Sequence, residues 1–156
     1  MGKKTHLKQL IFWIIILILP CLLQAKPYTT TGNEEVGDDL TGLIWLKSWN
    51  SDWSTNRVDW HGAMNYCENL NFANASDWRL PNIKELSSLI DRDRINPAID
   101  TEAFIWGNHT PSYWSSTPLF GAGANGVWTV DFFMGTVSSG ANNVGGSALF
   151  YKCVRD

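Results

Sequence analysis

The sequence predicts an α+β domain, because helical patterns come first and short strands follow. Two segments, Asp59–Leu70 and Asn82–Ile90, place apolar residues three and four positions apart, as in a helix that buries one face. Beyond Tyr113 the pattern changes to short strands separated by glycine-rich turns, which favours antiparallel pairing. We therefore expect two helices packed on a small, mostly antiparallel sheet with long loops.

The first 25 residues have the pattern of a secretory signal peptide. Three lysines precede an uncharged apolar run from Leu10 to Leu19, and Ala25 provides a small residue for cleavage. The uncharged stretch that ends at Ala25 is close to the minimum length for crossing a bilayer, so an uncleaved anchor remains the alternative. Export to the periplasm, the cell surface or the medium is the predicted localisation.

Beyond the signal peptide, residues 26–37 are polar and predict a short leader, and residues 38–156 are predicted to form one domain. The chain has 156 residues, of which 44% are hydrophobic and 17% charged, which excludes a disordered tail and a coiled coil. Its net charge of −3 argues against nucleic acid as a partner, because phosphate-backbone binders carry a basic excess.

Export leaves two cysteines, Cys67 and Cys153, because Cys21 lies within the signal peptide. In an oxidising compartment an even pair favours one structural disulfide. The alternative is a catalytic thiol with His61 nearby, but no third cysteine remains to resolve an oxidised one.

The elements follow in chain order. Leu43–Leu46 reads as a buried strand after an Asp- and Gly-rich turn. Asp59 suits the first turn of the first helix, and Asn82 with Glu85 predicts a capping box at the start of the second. The remaining predictions are a helical turn at Ile99–Phe104, strands at Tyr113–Ser116, Val127–Phe133 and Leu149–Val154, and long loops at 120–126 and 138–147.

A set of motifs, taken in order, carries a family resemblance. The blocks are Thr41-Gly42-Leu43-Ile44-Trp45, Trp60 with Ala63, Tyr66, Cys67 and Leu70, Asp77-Trp78-Arg79-Leu80-Pro81, Glu85 with Leu86, Leu89 and Asp91, Tyr113-Trp114-Ser115-Ser116-Thr117, Trp128 with Val130, Phe132 and Gly135, and Cys153-Val154-Arg155. Their order and spacing resemble the domain typified by the C-terminal region of the Legionella collagen-like adhesin, over about Thr41 to Arg155.

The resemblance implies a fold like that of C-type lectins and of the formylglycine-generating sulfatase-modifying enzymes. It also implies that Cys67 on the first helix is bonded to Cys153 on the last strand. The adhesin that typifies the family binds sulfated polysaccharides through this domain. This chain lacks a collagen-like stalk and has a negative net charge, which does not favour a polyanionic ligand.

The tryptophans divide into two groups. Those in helical or strand patterns are predicted to be core, because burying an aromatic ring contributes several kcal/mol: Trp45, Trp60, Trp78, Trp114 and Trp128. Those in polar segments are candidates for stacking against a sugar: Trp49, Trp53 and Trp106. Arg79 is expected to bond a carboxylate, either Asp91 or Glu85, and so to fix the second helix on the sheet.

Metal and enzyme interpretations have weaker support. Calcium takes oxygen ligands, and the candidate carboxylates are Asp91, Asp93, Asp100, Glu102 and Asp131. The sugar-binding calcium signature of C-type lectins is absent, so no cofactor or metal is predicted and calcium is the alternative. No nucleophile elbow, phosphate loop or dinucleotide fingerprint occurs, and catalysis is not predicted.

The predicted function is therefore non-catalytic recognition of a polysaccharide or a surface protein at the bacterial envelope. The alternatives are an enzyme of the formylglycine-generating type and a structural envelope component. Candidate ligand-binding residues lie in loops, where amides and rings suit sugars: Asn125, Asn142, Asn143, Trp106 and His109. Equally, glycine and asparagine in these loops are suited to tight turns alone.

Overall fold

The structure, a computed structural model, describes residues 27–32, 34–47, 57–105, 112–121, 126–142 and 148–156. The predicted α+β class is confirmed, with two helices and antiparallel strands in the described part of the chain. The strands form two separate sheets instead of the single sheet that the sequence predicts. One sheet has four strands and the other has three.

The four-stranded sheet contains both ends of the domain. Its order is β1-β2-β3-β7, and every neighbouring pair is antiparallel. The strands are β1 Tyr28–Thr31, β2 Glu35–Asp38, β3 Ile44–Leu46 and β7 Val154–Arg155.

The polar leader predicted over 26–37 is wrong, because β1 and most of β2 lie within it. Val36 is fully buried and lies opposite Trp45 in the β2–β3 register. A polar segment is thus held in the sheet by backbone pairing and by the buried side chains of Glu35, Val36 and Asp38.

The three-stranded sheet is a meander in the order β4-β5-β6. Its strands are β4 Ser112–Pro118, β5 Gly126–Asp131 and β6 Thr136–Asn142. The first half of the loop predicted at 138–147 is therefore strand. The predicted strand Leu149–Val154 is also corrected, because only β7 pairs as a strand there and Leu149 and Phe150 form isolated bridges.

Both predicted helices are present. Helix α1 spans Trp60–Glu68, and the Asp59 carboxylate accepts a hydrogen bond from the Gly62 amide at its start. Helix α2 spans Ile83–Ser88 and has the predicted capping box between Asn82 and Glu85. The turn predicted at Ile99–Phe104 is closed by a 3.0 Å bond from the Phe104 amide to the Asp100 carbonyl, without a regular helix.

The core divides into two clusters, one between α2 and both sheets and one around α1. Trp45, Trp78 and Trp114 are fully buried, as predicted. Trp60 and Trp128 are only half-buried. Trp60 still packs against the cluster around α1, whereas the assignment of Trp128 to the core is corrected. The β5–β6 register shifts between Val127 and Trp128, so the alternation of buried and exposed faces is broken there.

Candidate functional site

The predicted disulfide between Cys67 and Cys153 is present. It joins α1 to the residue directly before β7 and closes a separation of 86 residues. Both cysteines are almost completely buried, beside Ala63 and Trp78. Because both sulfurs are bonded and buried, neither is a free thiol in this structure.

Arg79 connects α2 to the end of the chain. Its guanidinium nitrogens donate to both carboxylate oxygens of Glu85, and one also donates to Asp156 at 2.6 Å. The hydrogen bonds to Glu85 are the main cause of the raised pKa of Arg79. Glu85 is thus confirmed as the partner of Arg79. Asp91 instead forms a salt bridge with Arg94 at 2.8 Å.

A second arginine contact was not predicted. Arg155 donates to the Glu35 carboxylate at 3.1 and 3.2 Å, and its guanidinium lies 5.5 Å from the centre of the Trp78 ring. Glu35 is itself buried. Since Glu35 and Arg155 lie 120 positions apart, no local sequence pattern could have paired them.

Lys152 is a buried cation beside the disulfide. It is 4% exposed, and its ammonium lies 4.8 Å from the centre of the Phe104 ring and donates to the Lys47 carbonyl at 3.5 Å. Burial lowers the pKa of Lys152 to about 7, because the charged form is poorly solvated there. The side chain therefore titrates near neutral pH and carries a cost in stability when protonated.

A shallow groove lies between α2 and strands β5 and β6 of the meander. Its volume is about 250 Å³. Its lining residues are Ile83, Lys84, Ser87, Trp128 and Val137. The half-buried Trp128 is accompanied by the aliphatic side chains of Ile83 and Val137, and Lys84 and Ser87 complete a lining that is mostly apolar.

Two hydrogen bonds to residues of β4 hold the two sides of the groove in place. The Ser115 hydroxyl donates to the Trp128 carbonyl at 2.6 Å, which fixes the backbone of Trp128. The Ile83 amide donates to the Thr117 hydroxyl at 3.0 Å, which fixes the start of α2 against β4. The helix side and the sheet side of the groove are therefore both hydrogen-bonded to β4.

The groove combines the groups that sugar recognition uses. An indole face is apolar and suits the C–H faces of a pyranose ring, whereas hydroxyl and ammonium groups suit its oxygens. The Ser87 hydroxyl donates to the Lys84 carbonyl at 3.0 Å and keeps its acceptor capacity. Within the described part of the chain, Lys84 forms no salt bridge.

Most of the ligand-binding residues predicted from the sequence lie outside the described residues. These are Trp106, His109, Asn125 and Asn143, together with Trp49 and Trp53. The backbone of Asn142 is described and lies opposite Gly126 at the end of β6.

The candidate calcium ligands are mainly occupied by the protein itself. Asp91 and Asp100 accept backbone amides and contact Arg94, and Asp131 accepts the amides of Phe133 and Met134. In the described ranges, no three His, Cys, Asp or Glu side chains form a group that could hold a metal ion. The prediction that no cofactor is bound stays a prediction.

The fold and the groove define a disulfide-bridged α+β domain with a surface indole on its meander. The family model of the Lcl C-terminal domain matches residues 34–155, so the chain belongs to that family. Membership implies an exported protein, in agreement with the signal peptide pattern and the disulfide. Searches among curated proteins and among solved structures give no match. None of the helices in the described ranges is long and apolar enough to span a membrane.

Proposed function

We propose that this chain is a non-catalytic recognition domain that binds polysaccharide at the bacterial envelope, with the Trp128 groove as its contact surface. The groove is the observation that carries the proposal, because it places the half-buried Trp128 in a mostly apolar surface that Lys84 and Ser87 border. Burying the exposed part of the indole under a sugar ring is favourable, since each Å² of apolar surface removed from water contributes about 25 cal/mol.

The charge distribution favours a ligand that is not strongly anionic. Between Glu102 and Lys152 the chain has one charged residue, Asp131, and this segment contains the entire meander. Lys84, on α2, is the one cation in the groove lining. We propose a neutral or weakly acidic polysaccharide for this chain, with Asn125, Asn142, Asn143, Trp106 and His109 as additional contacts from the loops.

A C-type-lectin-like fold and a non-catalytic role belong to the same proposal. The bond between α1 and the C-terminal strand region supports the fold, because the family resemblance implies that connection. The bonded state of Cys153 supports the absence of catalysis, because a formylglycine-type reaction needs a reactive cysteine late in the fold.

A glycan array with the exported protein tests the proposal. We expect binding to one class of polysaccharide, strongly reduced in Trp128→Ala and unchanged in Phe120→Ala. Phe120 is a matched control because it is an aromatic residue, 90% exposed, that does not line the groove. Equal loss in both variants, or no binding by the unmodified protein, would refute the proposed function.

A further inference from the structure

Tyr66 and Tyr151 form a pair of rings next to the disulfide. Their ring centres lie 5.0 Å apart, and the ring planes are tilted by 59°. Tyr66 is the residue before Cys67, and Tyr151 lies two positions before Cys153, so the disulfide fixes the backbone beside both rings. Tyr66 belongs to α1, whereas Tyr151 directly precedes the segment that ends in β7. The two rings therefore meet where α1 is joined to the end of the chain.

The hydroxyl groups of the pair interact as well. Burial is the main cause that raises the pKa of Tyr151 to about 12, and the charge and the hydrogen bonding of Tyr66 add to the shift. Because this interaction acts through the phenol oxygens, the hydroxyl ends of the two rings lie together. The ring carbons next to the hydroxyl-bearing carbons, which are the positions at which tyrosyl radicals couple, are then neighbours too.

The pair differs from the other tyrosines of the chain. The sequence contains four tyrosines, and the other two, Tyr28 and Tyr113, contact phenylalanine rings. Tyr113 is fully buried, whereas Tyr66 is 40% exposed. A dissolved oxidant thus reaches Tyr66 directly, and Tyr66 contacts the half-buried Tyr151.

We propose that Tyr66 and Tyr151 are a modification site, at which a one-electron oxidant of the peroxidase class joins the two rings in a dityrosine bond. Each phenol gives up one electron and one proton, and hydrogen peroxide accepts both pairs and becomes two molecules of water. The two radicals couple through a new carbon–carbon bond next to the hydroxyl groups. The hydrogens on the coupled carbons then move to the phenol oxygens, so the product has lost two hydrogen atoms in all.

Tyr66 provides the route by which the half-buried Tyr151 is oxidised. After Tyr66 has lost an electron and a proton, Tyr151 passes its own electron and proton to it across the contact of the two hydroxyls. The oxidant then oxidises Tyr66 a second time, which leaves two radicals in contact. Coupling within the pair is faster than coupling between two chains, because rings held together react at a high effective concentration.

The dityrosine bond closes almost the same loop as the disulfide. While the disulfide is intact, the new bond restrains the unfolded chain little further, because the loop is already closed. After reduction of the disulfide, the carbon–carbon bond keeps the loop closed. The exported domain thereby acquires a closure that thiol reductants do not open. This inference does not depend on the proposed glycan binding.

Treatment of the exported protein with a peroxidase and hydrogen peroxide tests the site. We expect dityrosine fluorescence from the unmodified chain and from Tyr28→Phe, and none from Tyr66→Phe or Tyr151→Phe. Tyr28→Phe is the matched control because it removes a half-buried tyrosine outside the pair. Each variant keeps the ring and removes only the hydroxyl, and circular dichroism verifies that it is folded.

Mass spectrometry locates the bond. The disulfide is reduced and alkylated before digestion, because it joins residues next to the two tyrosines. We expect a peptide pair that stays linked after reduction, with fragment ions that place the bond at Tyr66 and Tyr151. In the presence of reductant, the oxidised chain should melt several degrees above the untreated chain, and Tyr66→Phe should show no such difference.

A reduced digest without this linked pair overturns the proposal, provided that a photo-oxidised ruthenium complex with persulfate, a smaller oxidant, gives the same result. Fluorescence that persists in Tyr66→Phe also overturns it, as do tyrosine links that join two chains instead of the pair within one chain. These outcomes are distinct from failure of the proposed function, because none of the readouts involves a glycan.

Discussion

Arg79 and Glu85 form a two-pronged contact, with guanidinium nitrogens at 2.8 and 3.1 Å from the two carboxylate oxygens. The same Glu85 carboxylate accepts the Asn82 amide at 2.8 Å, so one side chain closes the capping box and binds the arginine. The Arg79 backbone pairs with Val154 through bonds of 2.8 and 2.9 Å. Glu85 therefore couples the start of α2 to the end of the chain.

We predict that Arg79→Ala lowers the free energy of unfolding by about 1–2 kcal/mol, because it removes a charge-assisted pair that is partly exposed. Thermal unfolding followed by circular dichroism should show a melting temperature lower by several degrees. Asp156→Asn is the control, because the Asp156 side chain is 82% exposed and its loss should have little effect. An unchanged melting temperature with lost glycan binding would instead place Arg79 in the binding site.

We predict that the double variant Cys67→Ser, Cys153→Ser is less stable by about 2–5 kcal/mol, since the disulfide closes a long loop in the unfolded chain. Urea unfolding measures this loss. Mass spectrometry of the exported protein should find the two cysteines linked in one peptide pair. Recovery of both as free thiols would contradict the account of the fold.

We predict that stability rises with pH between about 7 and 10 because of Lys152. Its pKa is about 7 in the folded chain and near 10.5 in the unfolded chain, so the unfolded state binds the extra proton in this window. The free energy of unfolding should then increase by up to about 1.4 kcal/mol per pH unit, whereas below pH 7 the full cost remains.

Urea unfolding at several pH values measures this slope. The free energy of unfolding of Lys152→Met should depend less on pH between 7 and 9.5. At pH 7 this variant should be more stable than the unmodified chain. Above about pH 10 the trend should reverse, because burial raises the pKa of Tyr28 and Tyr151 to about 12 and the folded state then binds more protons. A slope that is identical in Lys152→Met would show that another group controls it.

We predict that replacing Asn125, Asn142 and Asn143 together by Ala reduces glycan affinity several-fold, less than Trp128→Ala does. The three residues adjoin the ends of the paired segment Gly126–Asn142 in the sequence, and amides both donate to and accept from sugar hydroxyls. Affinity is measured on the glycan that the array identifies, with folding checked by circular dichroism. Full retention of affinity would show that these asparagines do not contact the glycan and act only in forming turns.

The sequence was sufficient where the determinants were local, as in the capping box, or could be counted, as for the cysteines. The capping box of Asn82 and Glu85 and the disulfide followed from short spacings and from a cysteine count. Strands β1 and β2 were missed although they pair with neighbouring segments, because most of their residues are polar and because the contact that holds Glu35 comes from Arg155, 120 positions away. The polar composition of residues 26–37 led to the prediction of a leader, although Tyr and Thr, which form β1, have a preference for strands.

The groove was missed for a related reason. Trp128 follows the alternating pattern of a buried strand face, and only the register shift next to Val127 and the position of α2 leave its ring half-exposed. A bulge is a property of two paired strands and does not appear in the pattern of one. The loop residues predicted for binding stay predictions, because most of them lie outside the described residues.

The most direct test of the account is a nuclear magnetic resonance titration of the exported protein with an oligosaccharide of the class that the array identifies. We expect the indole N–H resonance of Trp128 and the amides of Lys84 and Ser87 to shift as ligand is added. The resonances of the buried Trp45, Trp78 and Trp114 indoles should stay in place. Saturable shifts that leave Trp128, Lys84 and Ser87 unchanged would contradict the groove as the binding site.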